Sequence, residues 1–105
     1  MLKLNLKKSF QKDFDKLLLN GFDDSVLNEV ILTLRKKEPL SPQFQDHALK
    51  GKWKPFRECH LKPDLLLVYQ IKKQENTLFL VRLGSHSELF YKLPITLKKN
   101  ATIAC

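Results

Sequence analysis

The stretch Leu65–Gly84, LLLVYQIKKQENTLFLVRLG, decides the fold. It contains two apolar, β-prone runs, 65–72 and 77–84, which are separated by the polar segment Lys73–Asn76. A polar connection of this length between two such runs is short enough for a hairpin. A third β-prone stretch, Pro55–Leu61, precedes them. The second half of the chain is therefore predicted to form a three-stranded antiparallel meander.

The first half predicts one strand and two helices. Leucine alternates with polar residues over Leu2–Leu6, which is the period of a strand with one buried face. Apolar residues at helical spacing then predict a helix near Ser9–Asn20, ended by Gly21, and a second helix near Asp24–Lys36. The order strand, helix, helix, meander is typical of an α+β fold in which two helices pack against one sheet.

Length and charge limit the class of protein. With 105 residues and 43% hydrophobic content, the chain is expected to form one domain. We assign this domain to residues 1–90 and treat 91–105 as a C-terminal extension without assigned structure. The net charge of +8 favours association with nucleic acid or with an acidic protein segment.

The cysteine content and the hydropathy pattern indicate the compartment. Cys59 and Cys105 do not form a metal-binding pair, and a secreted domain of this size usually carries more cysteines. No run approaches the roughly 20 apolar residues needed to cross a bilayer. We therefore expect a cytoplasmic protein with neither a signal peptide nor a contact with the membrane.

Strand alternation brings two candidate catalytic residues together. On the first meander strand Glu58 and His60 point to the same face, so they are neighbours in space. His86 follows the end of the last strand, where a loop can direct it across that face. Cys59 and His60 are adjacent and point to opposite faces, which argues against a nucleophilic cysteine, and Cys59 is interpreted as core.

Arg82 is the candidate on the last strand. Strict alternation turns Arg82 away from Val81 and Leu83 and places it on the side of Leu78 and Leu80. We expect the first and last meander strands to present polar groups on one sheet face. A single arginine or histidine in a strand is more often structural than catalytic, so the set carries the inference rather than any one member.

No metal or cofactor is predicted. His60 and Asp64 are four residues apart, but Pro63 lies between them, and the sequence has neither a His-Glu-x-x-His motif nor a paired-cysteine set. The residues do suit RNA cleavage without a metal. Imidazoles exchange protons near neutral pH, arginine holds a phosphate with two donors, and an aromatic such as Phe90 stacks on a base.

The joint spacing of these residues resembles that of the YafQ-type toxins of the RelE/ParE superfamily, over approximately residues 1–90. The resemblance implies an endoribonuclease that cuts mRNA at the ribosome and is silenced by an acidic cognate antitoxin. The matching positions are Asp46-His47, Leu49, Gly51, Trp53-Lys54, Arg57, His60, Pro63-Asp64, Tyr69, Arg82, Gly84, His86 and Leu89-Phe90.

The resemblance carries functional roles to six positions: His47, His60, Asp64, Arg82, His86 and Phe90. Glu58 joins the catalytic set because it supports His60 on the same strand face. We expect His86 to be the general acid and Arg82 to bind the scissile phosphate. The base is sought among His47, His60 and Asp64.

The lysines at 50, 52 and 54 are expected to contact the RNA backbone. Members of the family often have an aromatic residue where this chain has Leu65. Two alternatives remain: a ParE-like inhibitor of DNA gyrase with the same fold, and a basic protein that binds RNA or the ribosome without cleaving.

Overall fold

The computed structural model describes residues 1–90, with only the backbone of Phe90, so the predicted extension 91–105 lies outside it and the division into 1–90 and 91–105 stays a prediction. The described chain forms strands, helices and three short 3-10 turns. In chain order the strands and helices are β1 (Lys3–Leu6), α1 (Lys8–Leu19), α2 (Ser25–Arg35), β2 (His47–Ala48), β3 (Arg57–Lys62), β4 (Leu65–Lys72), β5 (Thr77–Gly84) and α3 (His86–Phe90).

The strands form one mixed sheet in the order β1-β5-β4-β3-β2. β3, β4 and β5 pair antiparallel, which confirms the predicted meander, and β4 and β5 have the predicted bounds. β1 pairs parallel with β5 and is one outer strand, while the two-residue β2 is the other. The predicted α+β class with helices packed on one sheet is confirmed.

The main core lies between the sheet and the helices α1 and α2. Phe10 of α1 and Val30 of α2 are buried against strand residues such as Leu67 and Leu80. α1 ends as predicted: the next residue but one, Gly21, has a φ of 81°, a left-handed conformation that favours glycine. The apolar spacing of the two helices therefore identifies the face that they bury.

The prediction of a buried face on β1 is wrong. Leu4 and Leu6 have 38% and 43% of their surface exposed. Leu2, which precedes the strand, is buried in the main core. The reason is that β1 is an outer strand, so leucine alternation there does not bring a second layer over it.

A second apolar cluster lies on the other face of the sheet. Its buried members come from β4, from α3 and from the segment after β2; they are Leu49, Leu66, Val68 and Leu89. Trp53, Phe56 and Val81 are partly buried against it. The aromatic pair Trp53 and Phe56 thus contributes to the packing of this face.

α1 also covers the part of β5 that extends beyond β1. The backbone N–H of Lys7 donates to the carbonyl oxygen of Leu80, at 3.0 Å. The Ser9 hydroxyl donates to the carbonyl oxygen of Val81, and the N–H of Leu83 donates to Asp13 Oδ2 at 2.9 Å. The helix therefore provides the hydrogen bonds that a neighbouring strand would otherwise make.

In the part of the chain that the structure describes, no helix has both the length and the apolar character required to cross a bilayer.

Candidate functional site

The sheet register brings the predicted residues onto one face. His47 pairs with Glu58, Glu58 with Val68, and Val68 with Arg82, so the four form one row across four strands. His60 belongs to the next row, which continues through Leu66 and Gly84. Residues that pair directly share a face of the sheet. The expected common face of Glu58, His60 and Arg82 is therefore present, opposite the two long helices.

A β-bulge, rather than strict alternation, turns Arg82 to this face. Tyr69 pairs with Leu80 and Val68 with Arg82, so Val81 is an extra residue without a partner on β4. As a result Leu83 joins Leu80 in the main core, while Arg82 lies on the opposite face. The expectation that Arg82 shares a side with Leu78 and Leu80 is wrong, because alternation breaks at the bulge.

His47, Glu58 and His60 form what we call the histidine cluster. Glu58 is fully buried, and its Oε1 lies 3.3 Å from His47 Nε2 and 3.7 Å from His60 Nε2. The side chains of His47 and His60 are 36% and 24% exposed, and their ring centroids are 6.1 Å apart. One buried carboxylate thus orients two imidazoles that solvent can reach.

The two imidazoles differ in their hydrogen bonds. Nδ1 of His47 lies 2.7 Å from the carbonyl oxygen of Gln45. A carbonyl oxygen only accepts, so this nitrogen carries a hydrogen, and Nε2 faces Glu58. Both ring nitrogens of His47 are therefore engaged. Among the described residues, His60 has a polar partner only at Nε2, which leaves its Nδ1 for a ligand.

A polar network on the helix face anchors His47. Arg57 Nη2 donates to Asp46 Oδ2 at 2.9 Å, and the Tyr69 hydroxyl donates to Asp46 Oδ1. The hydrogen bond with Asp46 raises the pKa of Arg57, and burial followed by the same carboxylate raises the pKa of Tyr69. Because neighbouring strand residues alternate, fixing Asp46 on one face directs His47 to the other.

This network was not predicted as a unit, because Asp46, Arg57 and Tyr69 are far apart in sequence. A groove of about 660 Å³ opens beside it on the helix face, away from the histidine cluster. The ring of Tyr69 is buried in the main core. Its hydroxyl has the additional role of a donor to Asp46.

Arg82 has a partner that sequence analysis did not identify. Its Nε lies 2.7 Å from Asp13 Oδ2, and its Nη2 lies 3.2 Å from Asp13 Oδ1. Asp13 is on α1, and 69 positions separate the two residues in the chain. No local pattern could have indicated this pair. Two strand spacings separate the backbones of Arg82 and Glu58, a distance of roughly 10 Å.

Asp64 and His86 lie together at the start of α3. The backbone N–H of His86 donates to Asp64 Oδ1 at 3.4 Å, and Asp64 is exposed in the turn between β3 and β4. The expected neighbour of Asp64 is His60, but its carboxylate instead accepts from the backbone of His86. The loop expected to carry His86 is instead the first turn of a helix.

A capping box fixes the beginning of α3. Ser85 Oγ accepts from the N–H of Glu88 at 3.2 Å, and Glu88 Oε1 accepts from the N–H of Ser85 at 3.1 Å. The N–H of Ser85 and its hydroxyl, which also lies 3.1 Å from Glu88 Oε1, both donate to this carboxylate and lower the pKa of Glu88. The pattern Ser-His-Ser-Glu was present in the sequence and would have indicated the helix. Gly84 permits the close approach, since a Cβ there would lie 3.3 Å from Leu89 Cδ2.

The predicted RNA-binding lysines lie at and beside the short turn Gly51–Trp53. All three are exposed: Lys50 and Lys54 flank the turn, and Lys52 lies within it. None of the three forms an ion pair within residues 1–90. Phe90 ends α3, and its side chain lies outside the described part, so its stacking role stays a prediction.

Cys59 is buried in the main core, as predicted. Burial raises the pKa of its thiol to about 12, so the thiolate required for nucleophilic attack is scarce at neutral pH. The structure thus supports the exclusion of a cysteine nucleophile.

The histidine cluster also has the composition of a metal site. One ligand atom from each of His47, Glu58 and His60 can be chosen so that all lie within 4.8 Å of one another. The prediction against metal relied on spacing along the sequence. Spacing does not reveal this set, because the register of β2 and β3 brings the donors together without any local motif.

Residues 2–91 match the family described as the bacterial toxin of type II toxin-antitoxin systems, YafQ. A relative from Haemophilus influenzae that carries the YafQ name is 36% identical over 96 residues, which cover 87% of this chain and 94% of the relative. The mRNA interferase toxin YafQ of Escherichia coli K12 is 36% identical over 59 residues, which cover 56% of this chain and 62% of that toxin.

Solved structures agree with the family match. A copper-bound mutant toxin from Helicobacter pylori is 86% identical, with a TM-score of 0.82, over 86% of this chain and all of that one. YafQ in the DinJ-YafQ complex of Escherichia coli is 27% identical, with a TM-score of 0.76, over 86% of this chain and 99% of that one. This chain therefore belongs to the YafQ family of toxins from type II toxin-antitoxin systems.

Proposed function

We propose that this toxin is an mRNA interferase, which is an endoribonuclease that cleaves messenger RNA. The observation that carries the proposal is the buried Glu58, which orients two exposed imidazoles on a face that also bears Arg82. The activity named for the Escherichia coli relative supports the same assignment. The predicted toxin domain 1–90 contains every residue invoked.

The histidine cluster supplies the base in this proposal. His60 is the better candidate to take the proton of the 2′-hydroxyl, because its Nδ1 makes no hydrogen bond to another described residue. His47 is engaged at both nitrogens, so its role is to hold the substrate or to add positive charge. Glu58 is buried and acts through the two rings as a positioning residue.

The residues of β5 and α3 supply the remaining chemistry. Arg82 binds the scissile phosphate and stabilises the charge that develops on it. His86 protonates the leaving 5′-oxygen, and Asp64 fixes the backbone N–H of His86. The RNA then lies across β4, between the histidine cluster and Arg82. Lys50, Lys52 and Lys54 contact phosphates on either side.

The histidine cluster also fits a transition-metal ion, and metal binding is a second property that we propose for it. Two imidazoles and a carboxylate suit copper or zinc. The hydrogen bond from His47 Nδ1 to Gln45 leaves Nε2 facing the possible ion, as an outer partner of a metal ligand does. The copper-bound Helicobacter pylori toxin motivates this proposal.

We propose three further features of the biological context. A cognate acidic antitoxin binds and silences the toxin, as the DinJ-YafQ complex suggests for the relative. The substrate is mRNA on the ribosome, which requires a cytoplasmic location. The charge of +8 favours both an acidic partner and RNA.

The test is cleavage of an mRNA, free and on translating ribosomes, by the full chain. We expect His60→Gln and His86→Gln each to lose about 100-fold in rate, the usual scale for one proton-transfer group, with the melting temperature retained. Lys73→Gln, which removes an exposed cation from the β4–β5 turn, is the matched control. Full activity of both folded histidine variants would overturn the assignment.

Growth arrest and DNA supercoiling, measured alongside mRNA cleavage, separate the alternatives. A basic RNA-binding protein without catalysis would arrest growth equally well with and without the histidines. A gyrase inhibitor would leave mRNA intact and stop DNA supercoiling. Assays with a chelator and with added copper ions then show whether the occupied cluster cleaves RNA, since a ligated nitrogen no longer accepts a proton.

A further inference from the structure

We infer that Asp13 is a positioning residue that presents Arg82 to the scissile phosphate. The inference rests on the proposed function of Arg82 and goes beyond it, because it assigns a role to a helix residue outside the histidine-bearing face. Asp13 binds the edge of the guanidinium group formed by Nε and Nη2, and it leaves the edge formed by Nη1 and Nη2 available. The orientation of Arg82 is thereby fixed before the RNA binds.

The geometry of the contact is side-on. Asp13 Oδ2 accepts from Arg82 Nε at 2.7 Å, and Asp13 Oδ1 accepts from Nη2 at 3.2 Å. A guanidinium group has five N–H donors, and this contact uses one on Nε and one on Nη2. Among residues 1–90 the hydrogen bonds of the Arg82 side chain all go to Asp13. The edge formed by Nη1 and Nη2 therefore remains for two phosphate oxygens.

Asp13 is itself held in place. Its Oδ2 also accepts the backbone N–H of Leu83 at 2.9 Å, and its side chain is only 18% exposed. The Ser9 hydroxyl, one turn earlier on α1, donates to the carbonyl oxygen of Val81. The helix is thus attached to β5 on both sides of Arg82. The carboxylate acts as a fixed support, and not as a mobile surface group.

The negative charge of Asp13 gives this residue a role beyond covering the edge of β5. A neutral oxygen, such as that of Ser9, is sufficient to satisfy a backbone group of β5. A carboxylate is required for a two-point, charge-assisted contact with Arg82. The Arg82 side chain is 29% exposed, so RNA can still reach it. A fixed guanidinium loses less rotamer freedom when it binds phosphate, and orientation of this kind is reflected in the catalytic rate.

The experiment is a double-mutant cycle in mRNA cleavage with the full chain. Asp13→Asn keeps an oxygen for Leu83 and removes the charge, Asp13→Ala removes both, and Arg82→Lys keeps a charge with measurable residual activity. Asp15→Asn, on the same helix, is the matched control, since Asp15 accepts from Gln11 and lies away from Arg82. Each variant is also tested for its melting temperature and for its affinity for an RNA that carries a 2′-deoxy group at the cleavage position.

We expect Asp13→Asn and Asp13→Ala to lower kcat by about 10- to 100-fold, the scale of a misplaced catalytic group, with little change in affinity for the uncleavable RNA. In the Arg82→Lys background the same changes should have less than about a third of that effect. Asp15→Asn should match the parent.

Two results would overturn the inference and spare the proposed function: folded Asp13 variants with parental kcat, or equal losses in both backgrounds, which would show a purely structural role. Full activity of Arg82→Ala would overturn the inference together with the proposed role of Arg82. If Asp13→Ala does not fold, Asp13→Asn alone decides, because it retains the hydrogen bond to Leu83.

Discussion

The two halves of the candidate site are held in different ways. The histidine cluster lies within the sheet: β2 and β3 supply its residues, and a fully buried carboxylate joins them. The positions of Arg82 and His86 depend on local structural features near the end of β5. These are a one-residue bulge, a glycine, a capping box and a carboxylate from α1.

This difference predicts how each half responds to mutation. The histidine cluster shares its sheet with the core, so its geometry is as stable as the fold. The features near the end of β5 involve few residues and little buried surface, so the half of the site that contains Arg82 and His86 can be displaced while the fold persists. Three substitutions test the contrast, in order of decreasing effect.

The largest effect is expected from Glu58→Gln. The amide has nearly the shape of the carboxylate but no charge, so it cannot hold both imidazoles through one oxygen at 3.3 and 3.7 Å. We expect cleavage to fall by about 100-fold while the chain remains folded. Glu75→Gln, at an exposed turn position, is the control. Parental cleavage by folded Glu58→Gln would show that the cluster needs no buried charge.

An intermediate effect is expected from Gly84→Ala. The new Cβ would lie 3.3 Å from both Glu88 Oε1 and Leu89 Cδ2, so these two side chains of α3 must move by a few tenths of an ångström, and we expect His86 to move with them. We expect cleavage to fall by about 10-fold, with melting nearly unchanged. Gly21→Ala should lower the melting temperature and leave cleavage nearly unchanged. The φ of 81° at this position strains any side chain, and Gly21 lies far from the site. Equal changes in cleavage and melting temperature for the two variants would contradict the idea that the packing of α3 at Gly84 acts locally on the site.

The smallest effect is expected from Glu88→Gln, which weakens the capping box. Hydrogen bonds from Ser85 lower the pKa of Glu88 in the folded state. A lowered carboxyl pKa stabilises the fold above the unfolded value of about 4.3, and this stabilisation is lost as the pH falls through the folded value.

At pH 7 the variant should therefore unfold more easily than the parent, by less than about 1 kcal/mol because the side chain is exposed to solvent. The difference should shrink as the pH is lowered to about 3. Thermal melts across this range test it, with Glu29→Gln as a control on the exposed face of α2. A difference that grows in acid would show that the ionised Glu88 carboxylate does not stabilise the fold through its hydrogen bonds from Ser85.

Periodicity predicted the regular elements of this fold because they bury continuous apolar faces. β4 and β5 have the predicted bounds, and α1 is within one residue of the predicted helix at each end. Periodicity failed where one residue changes the pattern, as at Val81. It also missed the two-residue β2, which is too short to show a period, and the five-residue α3, for which the capping box was the available signal.

The candidate site was predicted as a set of residues but not as a set of contacts. Alternation placed Glu58 beside His60, since both are on one strand. The contact between His47 and Glu58 depends on strand pairing, and the contact between Asp13 and Arg82 depends on helix packing. Neither interaction leaves a local trace in the sequence. The metal-like arrangement of the cluster was overlooked for the same reason.

The position of α1 along β5 also bears on self-association. A strand with an open edge is a template for the strand of another molecule, and such pairing leads to aggregation. Here the outer strands have four and two residues, and α1 covers the stretch of β5 beyond β1. Among the described residues, the stretch of β5 beyond β1 is thus covered on its outer side. The same helix that carries Asp13 therefore protects this edge of the sheet against pairing with a second chain.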